Sequence, residues 1–241
     1  PSRAANWLTG SYQMAKKVKS VKSKNKARIV IVDDHPIVRQ GLAQLIEQEG
    51  DLEITGQAED AAEAVKQVEQ IKPDLVIVDI SLKDKNGLEL IKDLRIQHPQ
   101  LPLLALSMHD ESLYAERALR AGAKGYVMKE EATENVVTAI RKVLNNQLYI
   151  SDNMASKMVR KLVGGSVEAG TSPVDSLSDR ELQVFILIGK GYGTRQISEQ
   201  LHLSVKTIES YRAHIKEKLN IGGAPELLRY AIQWVSSQNV T

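Results

Sequence analysis

The chain has 241 residues, 42% of them hydrophobic and only 4% aromatic, and a formal net charge of +2. This length predicts one large domain or two of ordinary size, with cores built mainly of aliphatic side chains. The absence of cysteine excludes a disulfide framework, a thiolate nucleophile and a cysteine-ligated zinc site. No apolar run approaches the ~20 residues of a membrane span, and the basic start lacks a signal peptide's apolar core, so we expect a cytoplasmic protein without a membrane partner.

The charge is unevenly distributed. Residues 1–28 carry eight Lys and Arg side chains and no acid, which leaves −6 for the rest of the chain. Residues 1–27 also lack periodicity, and we predict a disordered basic tail there. Such an arm could contact DNA phosphates, although a solvated tail is the favoured interpretation. The pI of the whole chain therefore says little about nucleic-acid binding.

From Arg28 onwards, short apolar runs alternate with amphipathic segments. The runs predict five β-strands, at residues 28–33, 52–58, 75–79, 103–107 and 125–128. The segments between them predict helices, and short crossovers of this kind produce right-handed, parallel pairing. We therefore predict an α/β domain over residues 28–146, a flavodoxin-like (βα)5 sheet covered by helices on both faces.

Acidic residues follow two of these strands. The run Leu75–Val78 leads directly into Asp79, and the first strand ends in Asp33 and Asp34. The carboxyl ends of parallel strands meet at one edge of the sheet, so three carboxylates would lie close together and need a compensating cation. Mg²⁺ prefers such oxygen ligands. The pattern predicts a magnesium site in which Asp79 attacks a phosphoryl group and becomes an aspartyl phosphate.

Two further side chains complete this prediction. Ser107 ends the fourth strand and Lys129 directly follows the fifth. A hydroxyl and an ammonium group at this edge would hold phosphoryl oxygens. Each residue alone is typical of a turn or a solvated loop, and only their joint occurrence favours a phosphoacceptor site.

Residues 147–176 have the composition of a connector, with a short helix predicted over Asp152–Val163 and a Gly/Ser-rich loop after it. Residues 177–241 are helical by pattern. Ser178 and Glu181 form a capping box, and Thr194 and Ser204 are predicted to cap the next two helices. Two short helices joined by a tight turn indicate a helix-turn-helix within an all-α four-helix domain.

The helix predicted over residues 205–219 has two unlike faces. Ile208, Ile215 and Leu219 form an apolar stripe. A small, polar opposite face suits a DNA major groove; its residues are Lys206, Glu209, Ser210, Ala213, His214 and Glu217. Phosphate contacts are expected from Arg195, Lys206, Thr207, Arg212 and Lys218. Charge alone favours a solvated helix face over a DNA-binding one.

Four segments of the first domain resemble the receiver domain of two-component response regulators. They are Ile-Val-Asp-Asp-His at 31–35, Val-Ile-Val-Asp at 76–79, Ala-Leu-Ser at 105–107 and Lys-Gly-Tyr-Val-Met-Lys at 124–129. The resemblance implies that a sensor histidine kinase phosphorylates Asp79 in a Mg²⁺-dependent step. The roles that it implies are metal ligands at Asp33, Asp34, Asp79 and the Ser81 carbonyl, phosphoryl contacts at Ser107 and Lys129, and an aromatic switch at Tyr126.

The last domain resembles the four-helix DNA-binding domain of NarL/FixJ and LuxR regulators. The matching segments are Leu-Ser-Asp-Arg-Glu-Leu at 177–182, Gln-Ile-Ser-Glu-Gln-Leu at 196–201, Leu-Ser-Val-Lys-Thr-Ile at 203–208 and Ile-Lys-Glu-Lys-Leu at 215–219. The resemblance implies base contacts by Glu209, Ser210 and Ala213, and phosphate contacts by Lys206, Thr207 and Tyr211. Tyr211 stands where the family often has His. The last helix is implied as a dimer face.

The sequence as a whole predicts a DNA-binding transcriptional response regulator, not an enzyme, that forms a homodimer on phosphorylation. RNA polymerase is a further candidate partner. Two alternatives remain open: a regulator that binds DNA independently of phosphorylation, and a phosphohydrolase that uses an aspartyl phosphate. The phosphohydrolase is disfavoured because such enzymes usually have a second Asp two residues after the nucleophile, where this chain has Ser81.

Overall fold

The computed structural model describes residues 26–82, 86–108, 111–163 and 173–238. Five parallel strands form one sheet in the order β2-β1-β3-β4-β5. Their bounds are β1 Ala27–Val32, β2 Leu52–Ala58, β3 Leu75–Asp79, β4 Leu103–Ser107 and β5 Gly125–Met128. The predicted flavodoxin-like fold is confirmed, because this is the strand order of one of the two common doubly wound sheets.

Helices cover both faces of the sheet. They are α1 Pro36–Glu47, α2 Ala61–Ile71, α3 Gly87–Gln97, α4 Glu111–Ala121 and α5 Ala132–Leu144. Helices α1 and α5 pack on one face and form a hydrophobic cluster with Ile29, Ile31 and Ile77. Helices α2, α3 and α4 pack on the other face, against Val30 and Val78. Burial on both faces explains why these strands are continuous apolar runs.

The connector begins as an addition to the sheet. The amide of Tyr126 donates to the carbonyl of Tyr149 (2.9 Å), and the amide of Tyr149 donates to the carbonyl of Lys124 (3.0 Å). Helix α6, Asp152–Val163, follows with the predicted bounds. The amide of Ser151 donates to the Glu111 carboxylate at 2.8 Å, which ties the start of α6 to α4. The described first part of the connector is thus attached to the sheet domain.

The C-terminal part is helical, as predicted. A 3₁₀ turn at Pro173–Ser176 precedes α7 Asp179–Gly189, α8 Thr194–Gln200, α9 Val205–Lys218 and α10 Ala224–Gln238. Phe185 of α7 packs against the rings of Tyr230 and Trp234 of α10, with ring centroids 5.9 and 5.6 Å apart. Helices α8 and α9 are joined by the tight turn that a helix-turn-helix requires.

The predicted helix caps can be compared with the backbone. The capping box is confirmed, since the amide of Ser178 donates to Glu181 Oε2 (2.7 Å) and the amide of Glu181 donates to Ser178 Oγ (3.3 Å). The Thr194 cap is wrong. Helix α8 is capped at Gly193, whose amide donates to Gln196 Oε1 at 2.8 Å, and Thr194 is already the first helical residue. The side chain of Gln196 therefore binds the amide of Gly193, and the Thr194 hydroxyl is not the capping group.

One hydrophobic cluster extends from the sheet domain into the helical one. It contains residues of α3 and α4 together with Leu177 and with Leu182 and Phe185 of α7. The two domains therefore share a packed apolar contact. Among the described residues, no helix is both long enough and apolar enough to cross a membrane.

Candidate functional site

Three carboxylates meet at the carboxyl edge of the sheet. Asp33 and Asp79 are fully buried and Asp34 is 7% exposed. The register of β1 against β3 pairs Val32 with Val78, so the next residues, Asp33 and Asp79, are neighbours. Ligand atoms of the three carboxylates and of His35 all lie within 4.8 Å of one another. The fold therefore brings these three carboxylates together, as predicted from the sequence.

Lys129 balances part of this negative charge. Its Nζ lies 2.7 Å from Asp79 Oδ2 and 2.6 Å from Asp33 Oδ2, and its side chain is only 6% exposed. Burial by itself would lower the pKa of this ammonium group, but the adjacent Asp79 and Asp33 outweigh burial and raise the pKa above its usual value. Lys129 is therefore a permanent cation that bridges two carboxylates from different strands.

Asp79 has both carboxylate oxygens engaged. Oδ2 accepts from Lys129, and Oδ1 accepts from the amide of Ser81 at 3.0 Å. Burial raises the pKa of Asp79 to about 6, and the nearby Lys129 limits that increase. At neutral pH the group is a carboxylate in a poorly solvated site. A weakly solvated carboxylate is a suitable nucleophile for an electrophilic phosphorus atom.

Ser107 and Tyr126 lie on the two strands beyond β3. The register pairs Asp79 with Leu106 and Ser107 with Met128, so Ser107 is one residue beyond Asp79 and adjacent to Lys129 along the edge. Its side chain is fully buried. Tyr126 is 2% exposed and belongs to the cluster that also contains Tyr114 of α4. Burial first, and Tyr126 second, raise the pKa of Tyr114, so the two tyrosines are electrostatic neighbours.

The site residues fit a divalent cation. Three buried carboxylates face a single lysine, and this donor set of hard oxygens is the one that Mg²⁺ prefers. His35, to which the sequence analysis assigns no role, also lies in this cluster. Its Nδ1 lies 2.8 Å from Asp34 Oδ1 and 3.2 Å from Asp33 Oδ1. The sequence signal that could have placed His35 in the cluster is its position directly after Asp33 and Asp34.

Helix α9 presents the predicted reading face to solvent. Ile208 and Ile215 are buried against the domain core. The exposed positions are Lys206, Glu209, Ser210, Ala213 and His214, while Tyr211 is half-buried. Ser204 caps the helix by accepting from the amide of Thr207 at 3.0 Å, and the two hydroxyls are 2.7 Å apart. The residues predicted from the sequence to read bases therefore share one accessible face.

Two of the residues predicted to contact DNA, Lys218 and His214, lie close to Glu181 of α7. Lys218 Nζ lies 2.6 Å from Glu181 Oε2, and His214 Nδ1 lies 3.9 Å from Glu181 Oε1. Burial opposes ionisation of Glu181, but the hydrogen bonds from Lys218 and Ser178 lower its pKa. Lys218 thus fastens α9 to the amino end of α7. Arg195, on α8, is exposed.

Comparisons with known proteins agree with both the acidic site at the sheet edge and the helix-turn-helix. Residues 29–141 match the family described as response regulator receiver domain, and residues 175–231 match bacterial regulatory proteins of the luxR family. The oxygen regulatory protein NreC of Staphylococcus carnosus is 37% identical over 210 residues, covering 86% of this chain and 97% of that protein. The chain is a two-component response regulator of the NarL type.

Solved structures of related response regulators cover most of the chain. RcsB of Salmonella enterica serovar Typhimurium, bound to promoter P1flhDC in the presence of the phosphomimetic BeF3⁻, is 25% identical with a TM-score of 0.57. The same protein bound to promoter rprA is 26% identical with a TM-score of 0.56. Each match covers 86% of this chain and 98% of the other. The response regulator described here is thus a transcription regulator with a luxR-type DNA-binding domain.

Sequence reasoning missed one set of residues in this response regulator. Lys92 and Arg117 of the receiver bind Asp179 of α7, and Arg180 contacts the carbonyl of Leu82. These residues are 60 or more positions apart in the chain, so no local pattern connects them. The buried state of Asp179 and Arg180, each 8% exposed, becomes apparent only when the domains are seen together.

Proposed function

We propose that Asp79 accepts a phosphoryl group from a partner sensor histidine kinase in a Mg²⁺-dependent reaction. The phosphorylated regulator then dimerises and binds an operator. The observation that carries this proposal is the buried contact between Asp79 and Lys129 at 2.7 Å, beside the acidic pair Asp33 and Asp34. An isolated buried carboxylate would be costly, and phosphoryl transfer needs positive charge placed beside the nucleophile.

In the proposed reaction each side chain has a separate task. Asp79 supplies the attacking oxygen, Lys129 neutralises a phosphoryl oxygen, and the Ser107 hydroxyl donates to another. Asp33, Asp34, Asp79 and the Ser81 carbonyl would hold Mg²⁺, which when bound screens the negative charge of the incoming phosphoryl group. Tyr126 would respond to Ser107, because the two residues lie on adjacent strands, β4 and β5.

DNA binding by this chain is proposed through the exposed face of α9. Glu209 and Ser210 offer polar atoms to base edges, and Ala213 offers a methyl group to thymine. Lys206, Thr207, Tyr211 and Arg195 would contact phosphates, whereas Lys218 is held by Glu181. His214 is exposed beside the residues that would face the bases. The exposed side chains of Leu228 and Ile232, one turn apart on α10, suit a helix that pairs with a second copy.

The test is molar mass by light scattering, with and without beryllofluoride and Mg²⁺, on wild type and on Asp79→Ala. We expect wild type to shift from monomer to dimer and Asp79→Ala to remain monomeric. Operator-containing DNA should be bound more tightly by the shifted form, because two half-sites are then engaged. The same mass and the same DNA affinity with and without beryllofluoride would refute the proposal.

A further inference from the structure

The imidazole of His35 is turned towards the acidic cluster at the sheet edge. His35 is the residue that precedes α1, a position where a side chain usually accepts a hydrogen bond from the first amides of the helix. The His35 side chain makes no such bond. Its Nδ1 lies 2.8 Å from Asp34 Oδ1 and 3.2 Å from Asp33 Oδ1. The imidazole therefore belongs to the carboxylate cluster and does not cap the helix.

The backbone of His35 is fixed in this position. Its amide donates to Asp33 Oδ1 at 2.8 Å. Pro36 follows it and favours extended backbone at the preceding residue, and His35 has a φ of −98° and a ψ of 107°. Arg39, in the first turn of α1, donates to the carbonyl of Asp33. Because this turn is held from both sides, the imidazole needs little rearrangement to contact an ion bound by the same acids.

Lys129 and His35 lie beside different oxygens of these acids. Lys129 Nζ lies 2.6 Å from Asp33 Oδ2 and 2.7 Å from Asp79 Oδ2. His35 instead approaches the Oδ1 atoms of Asp33 and Asp34. Three carboxylates and one ammonium group leave two negative charges, which a divalent ion would balance. His35 thus places a nitrogen beside carboxylate oxygens that the lysine does not contact.

We propose that His35 is a ligand of the metal ion at this site, and that it makes the site select a transition-metal ion such as Mn²⁺ over Mg²⁺. This inference rests on the proposed function, which assigns a divalent ion to the site. Adjacent ligands of an octahedral ion with bonds of about 2.1 Å lie about 3 Å apart. The distances from His35 Nδ1 to Asp33 and Asp34 match that spacing. Ligand atoms of these three side chains and of Asp79 all lie within 4.8 Å of one another.

The imidazole nitrogen is the donor that distinguishes the two ions. Mg²⁺ is a hard cation that takes oxygen ligands and loses its waters reluctantly, so it gains little from a nitrogen. Transition-metal ions bind imidazole well. Without an ion, Nδ1 donates its hydrogen to the carboxylates; an ion takes the place of that hydrogen, and the neutral imidazole then carries its hydrogen on Nε2. The His35 side chain is 57% exposed, so this hydrogen can exchange with solvent.

The experiment measures binding of Mn²⁺ and Mg²⁺ to the full chain. Free Mn²⁺ is counted by its electron paramagnetic resonance signal, and Mg²⁺ is measured by its competition with Mn²⁺. Pulsed resonance of the bound Mn²⁺ detects a coordinated nitrogen by the modulation that it adds to the echo. The variants are His35→Asn, which places a favoured residue before α1, and Asp79→Ala. The matched control is His202→Asn, at an exposed histidine whose φ of 52° Asn tolerates.

We expect wild type to bind Mn²⁺ more tightly than Mg²⁺ and to show nitrogen modulation. His35→Asn should lack this modulation and bind Mn²⁺ about tenfold more weakly or worse, since even groups that only support a metal ligand contribute that much. Its affinity for Mg²⁺ should stay the same. His202→Asn should match wild type in all three measurements. Asp79→Ala should lose binding of both ions, which identifies the counted ion as the one at the sheet edge.

Failure of the inference and failure of the proposed function give different results. Bound Mn²⁺ without nitrogen modulation in wild type overturns the inference alone, as does an equal Mn²⁺ affinity in wild type and His35→Asn. An equal loss of Mn²⁺ and Mg²⁺ affinity in His35→Asn also overturns it, because His35 then shapes the site without selecting the ion. Wild type that binds neither ion, or binds both as Asp79→Ala does, refutes the proposed metal site and the inference together. Where His35→Asn does not fold, as judged by thermal denaturation, the nitrogen modulation of wild type decides.

Discussion

The two functional regions of this response regulator are built in opposite ways. At the sheet edge, Asp33 and Asp79 are fully buried, and Lys129 is held between them. On helix α9 the residues predicted to read bases are exposed, and only Ile208 and Ile215 of the apolar stripe are buried. Charges act strongly where water is excluded and weakly where it is present. The edge is therefore suited to chemistry and the helix face to reversible recognition.

This difference predicts that single substitutions change function more at the carboxyl edge of the sheet than on helix α9. Lys129→Ala should reduce the rate of Asp79 phosphorylation by acetyl phosphate about a hundredfold or more, the usual cost of removing one group that stabilises developing charge in a closed site. The control is Lys124→Ala, whose ammonium group contacts Asn146 at the opposite end of β5. A tenfold or smaller loss in Lys129→Ala would mean that the edge behaves like a solvated surface.

The burial of Asp79 also predicts the direction in which a substitution there changes the free energy of unfolding. Asp79→Asn should raise the free energy of unfolding in metal-free buffer above pH 7, by up to about 3 kcal/mol for a shift of some two pKa units. The pKa of Asp79 is raised from 3.8 to about 6 in the folded state, so its charge destabilises the fold above pH 6. The gain should shrink as the pH falls from 6 to 4. Urea denaturation at pH 8 and pH 4 checks this, and an equal gain at both would contradict it.

The edge site could be predicted from sequence because its signals are local. Asp79 is the last residue of an apolar strand, and Asp33 and Lys129 each directly follow one. Parallel strands bring their carboxyl ends together in any sheet of this order. The bounds of α6 and the Ser178 capping box were predictable for the same reason. The cap of α8 was not, since Gln196 reaches back to Gly193 and replaces the expected Thr194 hydroxyl.

The helix face and the domain contact were harder to predict. Charge alone predicts that α9 is a solvated helix, and only the resemblance to a family predicts a side that reads DNA. The pairing of Arg117 with Asp179 depends on how two separately folded domains meet, and no periodicity encodes that. Ion pairs between distant segments follow from tertiary packing, which sequence patterns describe only within one element.

On the exposed face we expect effects confined to recognition. Glu209→Ala should relax base preference at one operator position, at a cost of about 1–3 kcal/mol for the preferred base, with thermal stability unchanged. Selection from a random DNA pool by wild type and variant measures this directly. Glu199→Ala, an exposed glutamate on α8, is the control. An identical selected motif for Glu209→Ala would remove this residue from base reading.

The rate of phosphorylation at the sheet edge and the binding of DNA by α9 should depend differently on pH. Because the attacking form of Asp79 is the carboxylate and its pKa is about 6, the rate at limiting Mg²⁺ should fall about tenfold between pH 7 and pH 5. DNA binding over the same range should change less, since the raised pKa belongs to the receiver. A flat phosphorylation rate down to pH 5 would show that Asp79 is better solvated than its burial indicates.

The smallest effect concerns Lys218, which is partly exposed on α9 but bonded to a buried carboxylate. Its ammonium group is 41% exposed but bonded to the buried Glu181 at 2.6 Å. A lysine that contacts a DNA phosphate contributes about one unit to the dependence of log affinity on log salt concentration. Lys218→Ala should leave that slope unchanged and lower the melting temperature slightly, because Glu181 is the stronger competitor for this cation. Lys206→Ala should do the reverse, since Lys206 is exposed on the reading face. A slope that falls equally in both variants would return Lys218 to the DNA contact assigned to it from sequence.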